Sequence, residues 1–305
     1  MPKADWIWMD GEWLPFDEAK VHVLTHTLHY GLGVFEGIRC YATEDEGLAI
    51  FRLQKHLRRL YDSAKICLMD IPYPIEDLVE VCLDAVRKNG NKACYLRPLV
   101  FVGDGAMGLG TMANPVRVMV AAWEWGAYLG AEGLKNGIRA KVSTFTRAQV
   151  NHSMVKGKIV GQYVTSILAK REALLQGFDE AIFLDPEGYV SEASGENIFA
   201  VRNGRLWTTP VTGTILAGVT RDAIVQIARD RGYEVREQLV TRDFLWIADE
   251  VFMTGTAAEV TPVREIDNRP VGTGKAGPIT LELQSTFFDV VSGKLPQYKD
   301  WLTRV

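Results

Sequence analysis

The chain opens on an alternation of apolar and polar positions. Trp6-Ile-Trp-Met-Asp10-Gly11-Glu-Trp-Leu14 reads as a hairpin that turns at Asp10-Gly11. Residues 33–41 and 48–51 read as paired strands. The period then lengthens. Leu53, Leu57, Leu60, Ala64 and Cys67 share one face of an amphipathic helix, and a second helix runs from Ile75 to Lys88, stopped at Asn89-Gly90. Strands return at 93–102 and 116–122, joined by a glycine-rich loop. This half is α+β.

Composition shifts at residues 126–137, where four glycines fall within twelve positions. We read that stretch as a connector between a domain at 1–125 and a domain at 138–305. The second half opens on an alternating strand with Ile138, Ala140 and Val142. The longest helical pattern follows, with apolar residues at Tyr163, Val164, Ile167, Leu168, Leu174 and Leu175 and a stop at Gly177. Strands are expected near 181–184, 189–192, 198–201, 206–208, 233–239 and 250–253, and helices from Arg221, after Thr241 and over 278–291. Hairpin turns join most of these strands, so this half reads as an antiparallel or mixed, barrel-like sheet with helices outside.

Composition narrows the picture only modestly. The 305 residues are 47% apolar and 24% charged, an ordinary globular balance, and a formal charge of −4 gives no reason to expect nucleic acid or anionic membrane as a partner. No window approaches a membrane span, and the first residues carry no apolar export run, so a cytoplasmic protein is expected. Cys40, Cys67, Cys82 and Cys94 lack paired spacing and read as small buried hydrophobes. His22, His26 and His29 fall near helical spacing, but no carboxylate sits among them, and no metal site is expected.

Several stretches carry candidate chemistry. Lys158 stands where the long helical pattern begins. An enclosed amine at a helix N-terminus is disfavoured as ammonium, and a neutral amine is a nucleophile toward aldehydes. Lys156, two residues earlier, competes for that role. Gly103-Asp-Gly-Ala-Met-Gly108 matches a dinucleotide fingerprint literally, but a loop and a strand follow it instead of a helix. We read it as a mobile loop over a pocket. Leu216-Ala-Gly218-Val219-Thr220-Arg221 is a glycine turn entering a helix with Thr220 as its cap. Its N–H groups suit a phosphate, though an ordinary cap has the same sequence. Thr254-Gly-Thr256-Ala257-Ala is a second such turn. Ser191-Glu192-Ala-Ser-Gly-Glu196-Asn197 joins two carboxylates with tiny residues that let a flat ring approach the backbone.

Together these stretches resemble the fold-type IV pyridoxal-phosphate enzymes, in order and at spacing: Lys158-Ile-Val-Gly-Gln-Tyr163, Ser191 to Asn197, Leu216 to Arg221 and Gly255-Thr-Ala-Ala-Glu259. Val34-Phe-Glu-Gly-Ile-Arg39 and Tyr95-Leu-Arg97-Pro resemble the branched-chain amino acid aminotransferases within that group. The resemblance covers essentially the whole chain. It implies a small α/β sandwich domain followed by a larger pseudo-barrel domain. It implies transfer of an amino group between L-leucine, L-isoleucine or L-valine and 2-oxoglutarate through pyridoxal 5′-phosphate. A relative acting on D-amino acids or (R)-primary amines is the alternative, and would not need Tyr95 with Arg97.

The resemblance assigns Lys158 to the Schiff base, because the glycine and tyrosine that follow at three and five residues fit it and not Lys156. It assigns Glu192 to the pyridine nitrogen and Tyr163 to the ring hydroxyl. Arg59, Leu216, Gly218, Val219, Thr220 and Thr256 complete the cofactor set. Tyr30, Phe35, Arg39, Tyr95, Arg97, Trp125, Tyr128 and Ala257 form the substrate set. A homodimer or trimer of dimers is implied, with loop 103–110 reaching a neighbour's pocket through Met107 or Leu109. The partners are small-molecule amino acids and 2-oxo acids. Gln162 and Ala217 depart from the family's asparagine and proline.

Overall fold

The computed structural model describes residues 4–126, 128–147 and 149–305. The chain divides into two compact units. One comprises Met1–Trp125, Gly157–Gln162 and Val290–Val305, the other Gly126–Lys156 and Tyr163–Asp289. This differs from the division expected at 126–137. That stretch, apart from Ala127, which lies outside the described residues, joins the second unit, because Gly130–Asn136 is a helix and Leu129 packs on that unit's core. Residues 157–162 and the C-terminus join the first unit, because both add to its sheet: Ile159 bridges Val34, and Leu302–Arg304 pairs with Leu48–Phe51.

The first unit is a sheet covered by helices. Its strands run in the order Leu302–Arg304, Leu48–Phe51, Ile38–Ala42, Cys94–Val102, Val116–Trp123, Trp6–Met9, Glu12–Pro15, all antiparallel, with Gly33–Phe35 also on Cys94–Val102. The Asp10-Gly11 hairpin forms as the alternation predicts, and both turn residues take positive φ. Helices Leu53–Ile66 and Ile75–Lys88 bury Leu53, Leu57, Leu60 and Leu78 completely against Ile38, Ile50, Leu96 and Val100. Each such leucine contributes roughly 2 kcal/mol of burial.

The second unit is a nine-stranded mixed sheet in the order Val190–Ala193, Glu180–Leu184, Ile138–Thr146, Glu259–Ile266, Glu250–Gly255, Asn197–Arg202, Arg205–Thr208, Val235–Glu237, with Arg269–Pro270 beside Glu259–Ile266. Ile138–Thr146 is parallel to both of its neighbours. The sheet's two ends meet. Val190 N–H donates to Val240 O at 2.8 Å, and Tyr189 bridges Thr241. That contact, made just beyond strand Val235–Glu237, gives the sheet its barrel-like character. Helices Val219–Asp230 and Pro278–Val291 bury Ile224, Ile227, Leu283 and Phe287.

The helix after Lys158 departs from expectation twice. It begins at Tyr163, after a single 3-10 turn at Val160–Gln162, so Lys158 lies outside it. Its large apolar residues also face outward. Val164, Ile167, Leu168, Leu174 and Leu175 are exposed, while Ser166, Ala169 and Ala173 are buried. Small residues let this helix lie close on Phe178, Ala181 and Phe183, and the apolar stripe is left over.

Candidate active site

Lys158 is placed by backbone pairing. Its carbonyl accepts Phe35 N–H at 3.1 Å, and its own N–H donates to Ser63 Oγ at 3.0 Å on helix Leu53–Ile66. Gly161 lies flat against Gly31, where a Cβ would come within 2.9 Å of the Gly161 Cα, and Gly161 N–H donates to Gly31 O at 3.0 Å. Two glycines therefore let this segment run along strand Gly33–Phe35. The lysine consequently stands ahead of the helix and not in its first turn, contrary to the reading of its sequence. Its Nζ stands 4.8 Å from the Phe35 ring centroid. Lys156 is held quite differently. Its Nζ donates to the carbonyls of Val211, Gly213 and Ile215 at 2.5, 2.7 and 3.0 Å, which uses all three ammonium protons.

Around Phe35 the first unit gathers charge and aromatic surface. The Arg97 guanidinium lies 4.7 Å from the Phe35 ring, 5.5 Å from Tyr95 and 5.9 Å from Trp123. Its Nη2 donates to the Tyr95 hydroxyl at 3.4 Å, and its buried Nε has no hydrogen-bond acceptor. Tyr95 meets Trp125 edge-on at 4.7 Å, and Arg39 Nη1 donates to Trp125 O at 3.4 Å. Gly37 is indispensable here, since a Cβ would fall 1.8 Å from the Tyr95 hydroxyl. Tyr30 stands half open beside His26, ring centroids 4.5 Å apart.

Arg59 belongs to a buried network that its sequence position did not reveal. Its Nε and Nη2 donate to Glu36 Oε1 and Oε2 at 2.6 and 2.8 Å, and His56 Nδ1 donates to Oε2 at 2.7 Å. Burial alone would raise the Glu36 carboxyl, but Arg59 and His56 outweigh it and hold the group well below the carboxylate range. Burial pushes the His56 imidazole down, against the pull of Glu36. The network fixes the Arg59 fork on helix Leu53–Ile66.

The second unit holds the acid. Glu192 lies in strand Val190–Ala193, buried, with donors on both of its oxygens. Oε1 accepts Arg147 Nε at 2.9 Å and forms an ion pair with Nη2 at 2.8 Å. Oε2 accepts Asn197 Nδ2 and Leu216 N–H, each at 3.1 Å. Arg147 Nη1 donates to Ser166 Oγ at 3.1 Å, which locks the clamp. Helix Val219–Asp230 starts beside it. Gly218, not Thr220, occupies the cap position, and Thr220 is the helix's second residue. A Cβ on Gly218 would fall 2.0 Å from Asn197 Oδ1, so only glycine fits. The first-turn N–H groups at Val219 and Thr220 and the hairpin turn at Thr256-Ala257 are two places where backbone donors gather. Tyr163 begins its helix, and Tyr128 has the Lys170 ammonium 5.3 Å from its ring.

These donors suit pyridoxal phosphate. The glycine cradle at Gly218 meets what a phosphate requires. The clamped carboxylate of Glu192 is an acceptor of the kind a protonated pyridine requires. Arg147, Asn197, Glu36, His56, Gly37 and Trp123 were missed in the sequence. Glu36, Gly37 and Asn197 stand inside stretches singled out above but without a role of their own, and Trp123 left a signal by alternating with Trp125 at a strand end.

Comparison with known proteins agrees. Residues 33–266 match the model of the family described as amino-transferase class IV. A branched-chain-amino-acid aminotransferase of Pseudomonas aeruginosa is 51% identical over 299 residues, covering 98% of this chain and 97% of that one. The crystal structure of a T.th. branched-chain amino acid aminotransferase with pyridoxamine 5′-phosphate superposes with a TM-score of 0.96 at 51% identity, over 99% of each chain. A T.th. branched-chain amino acid aminotransferase complexed with N-(5′-phosphopyridoxyl)-L-glutamate gives 0.94 at 49% identity, again over 99% of each. Clamped acid, cradled helix start and full-length likeness coincide, and the chain belongs to the class IV amino-transferases.

Proposed function

We infer that this chain is a pyridoxal-phosphate-dependent branched-chain aminotransferase, moving the amino group between L-leucine, L-isoleucine or L-valine and 2-oxoglutarate. The observation that carries the substrate class is Arg97 stacked among Phe35, Tyr95 and Trp123. An aromatic wall accepts a branched aliphatic side chain. A guanidinium in that wall accepts the distal carboxylate of glutamate. One pocket thus serves both halves of a ping-pong exchange.

Bound pyridoxal phosphate supplies an aldehyde and an electron sink for the α-carbon. The chain supplies the rest. Lys158 is the amine that holds the aldehyde and takes the proton from the substrate's α-carbon. Glu192, fixed by Arg147, Asn197 and the Leu216 N–H, keeps the ring nitrogen protonated. Val219, Thr220, Thr256 and Arg59 hold the phosphate, the last oriented by Glu36. Tyr163 meets the ring hydroxyl, and backbone N–H at Ala257 meets the substrate carboxylate.

The protein works as a homo-oligomer in this reading. The exposed apolar stripe at Val164, Ile167, Leu168, Leu174 and Leu175 supports it, as do the bare tips Met107 and Leu109 of loop 103–110. A cytoplasmic location accords with four free cysteines; among the described residues, no helix is long and apolar enough to cross a membrane. Adding L-isoleucine to the purified holoenzyme tests the activity. Bleaching of the visible cofactor band, restored by 2-oxoglutarate, is expected. No response to any branched L-amino acid, with a response to D-amino acids or (R)-amines, would replace this reading by the alternative one.

A further inference from the structure

The histidine at residue 26 has no part in that reading, and it meets the glycine-rich loop 103–110. His26 is buried, and its Nε2 lies 2.9 Å from Gly108 O, 82 residues away. A carbonyl can only accept, so Nε2 carries the proton. His26 Nδ1 is buried with no hydrogen-bond partner, so this ring makes one directed contact. The histidine's backbone N–H also donates to Gly103 O at 3.1 Å, at the root of the same loop.

The loop is braced on its other side. Asn114 Oδ1 accepts Ala106 N–H at 3.0 Å, and Asn114 Nδ2 donates to Ala106 O at 2.9 Å. Gly108 has φ 114, a conformation that favours glycine and aims its carbonyl inward at the histidine. Met107 and Leu109, on either side, are left facing out. Asn114 therefore fixes the loop's base, and His26 fixes its tip. The same imidazole lies 4.5 Å from the ring of Tyr30, so one side chain spans the loop tip and a substrate-set tyrosine.

We propose that His26 is a positioning residue for substrate recognition: it anchors the tip of loop 103–110, and with it the placing of Met107, Leu109 and Tyr30. This rests on the reading that the loop and Tyr30 serve a branched-chain substrate pocket. The loop is then a latched wall and not a mobile flap, in contrast to what its glycines suggest.

The test compares His26→Phe, which keeps a ring against Tyr30 but loses the hydrogen bond, with His26→Gln, whose amide N–H can still reach the Gly108 carbonyl. In the holoenzyme, His26→Phe is expected to raise hydrogen exchange at the Ala106 amide about tenfold and KM for L-leucine by a similar factor, with kcat within about twofold. His26→Gln is expected to restore both. Unchanged exchange in His26→Phe would overturn the anchor, and raised exchange with unchanged KM would overturn its role in recognition. If His26→Phe does not fold, wild-type exchange and KM in His26→Gln support the proposal, and losses in both contradict it. The exchange arm needs no turnover, so an enzyme inactive on branched-chain substrates would defeat the functional reading separately.

Discussion

Arg147 grips Glu192 through one carboxylate oxygen, with Nε at 2.9 Å and Nη2 at 2.8 Å from Oε1. Asn197 and the Leu216 N–H take the other oxygen. The acid is thus fixed in direction before any ring arrives. Replacing Arg147 with methionine removes the cation that clamps this buried carboxylate. We expect kcat for L-leucine to fall about a hundredfold. Arg147→Lys keeps the charge but not the fork and should recover only part. Wild-type kcat in Arg147→Met would show that Glu192 needs no clamp.

In the proposed function, Arg97 divides the two half-reactions. Arg97→Leu leaves an apolar side chain among the aromatic rings and deletes the guanidinium. We expect kcat/KM for L-glutamate to fall about thirtyfold or more, the value of a charge-assisted hydrogen bond, and that for L-leucine to change less than about threefold. Steady-state kinetics on both substrates checks this. Equal losses would remove Arg97 from its assigned role.

Gly37 leaves space that Tyr95 fills. With the Tyr95 hydroxyl 1.8 Å from where a Cβ would stand, and its ring held by Trp123 and Trp125, Gly37→Ala must displace the tyrosine or the strand. A cost of about 1–3 kcal/mol in denaturant unfolding is expected, with a raised KM for both substrates. An unchanged KM would mean that Tyr95 does not line the pocket.

Glu196 carries a pH signature. Burial, and then the charge of Glu180, push its carboxyl up to about 8 against the opposing pull of Lys170. Folded Glu196 thus holds a proton that the unfolded chain has already released above its ordinary value of 4.5. Stability should therefore fall as pH rises from 4.5 to about 8, by up to about 1.4 kcal/mol per pH unit, less where Lys170 compensates. Glu36 acts oppositely. Its lowered value adds stability that is present above 4.5 and lost in acid. Melting curves across pH check both. Glu196→Gln should match wild type at pH 5 and exceed it at pH 8. Identical pH profiles would contradict the assignment.

The amphipathic helices were legible because burial follows period. Leu53, Leu57 and Leu60 are buried as their spacing predicts. The helix at Tyr163 was not. Its stripe of Val164, Ile167, Leu168 and Leu175 has the spacing of a core face yet lies exposed, because alanines and a serine make the close contact. Periodicity reports which residues share a face, not which face turns inward. The lysine's setting was misread for a related reason. Gly31 and Gly161 permit a close run along strand Gly33–Phe35, a pairing between distant segments that local pattern does not contain. Arg147 lies 45 residues from the carboxylate it holds and left no local mark, while Glu36, 23 residues from Arg59, stands in a singled-out stretch that does not show what it would hold.

The account turns on which amine holds the cofactor. Lys156 has its ammonium on three carbonyls, whereas Lys158 lies against Phe35 with its backbone held on both sides. Reducing the holoenzyme with borohydride and mapping its peptides by mass spectrometry decides the matter. A phosphopyridoxyl group on Lys158 is the predicted result. The same group on Lys156, or on no lysine, would contradict the account.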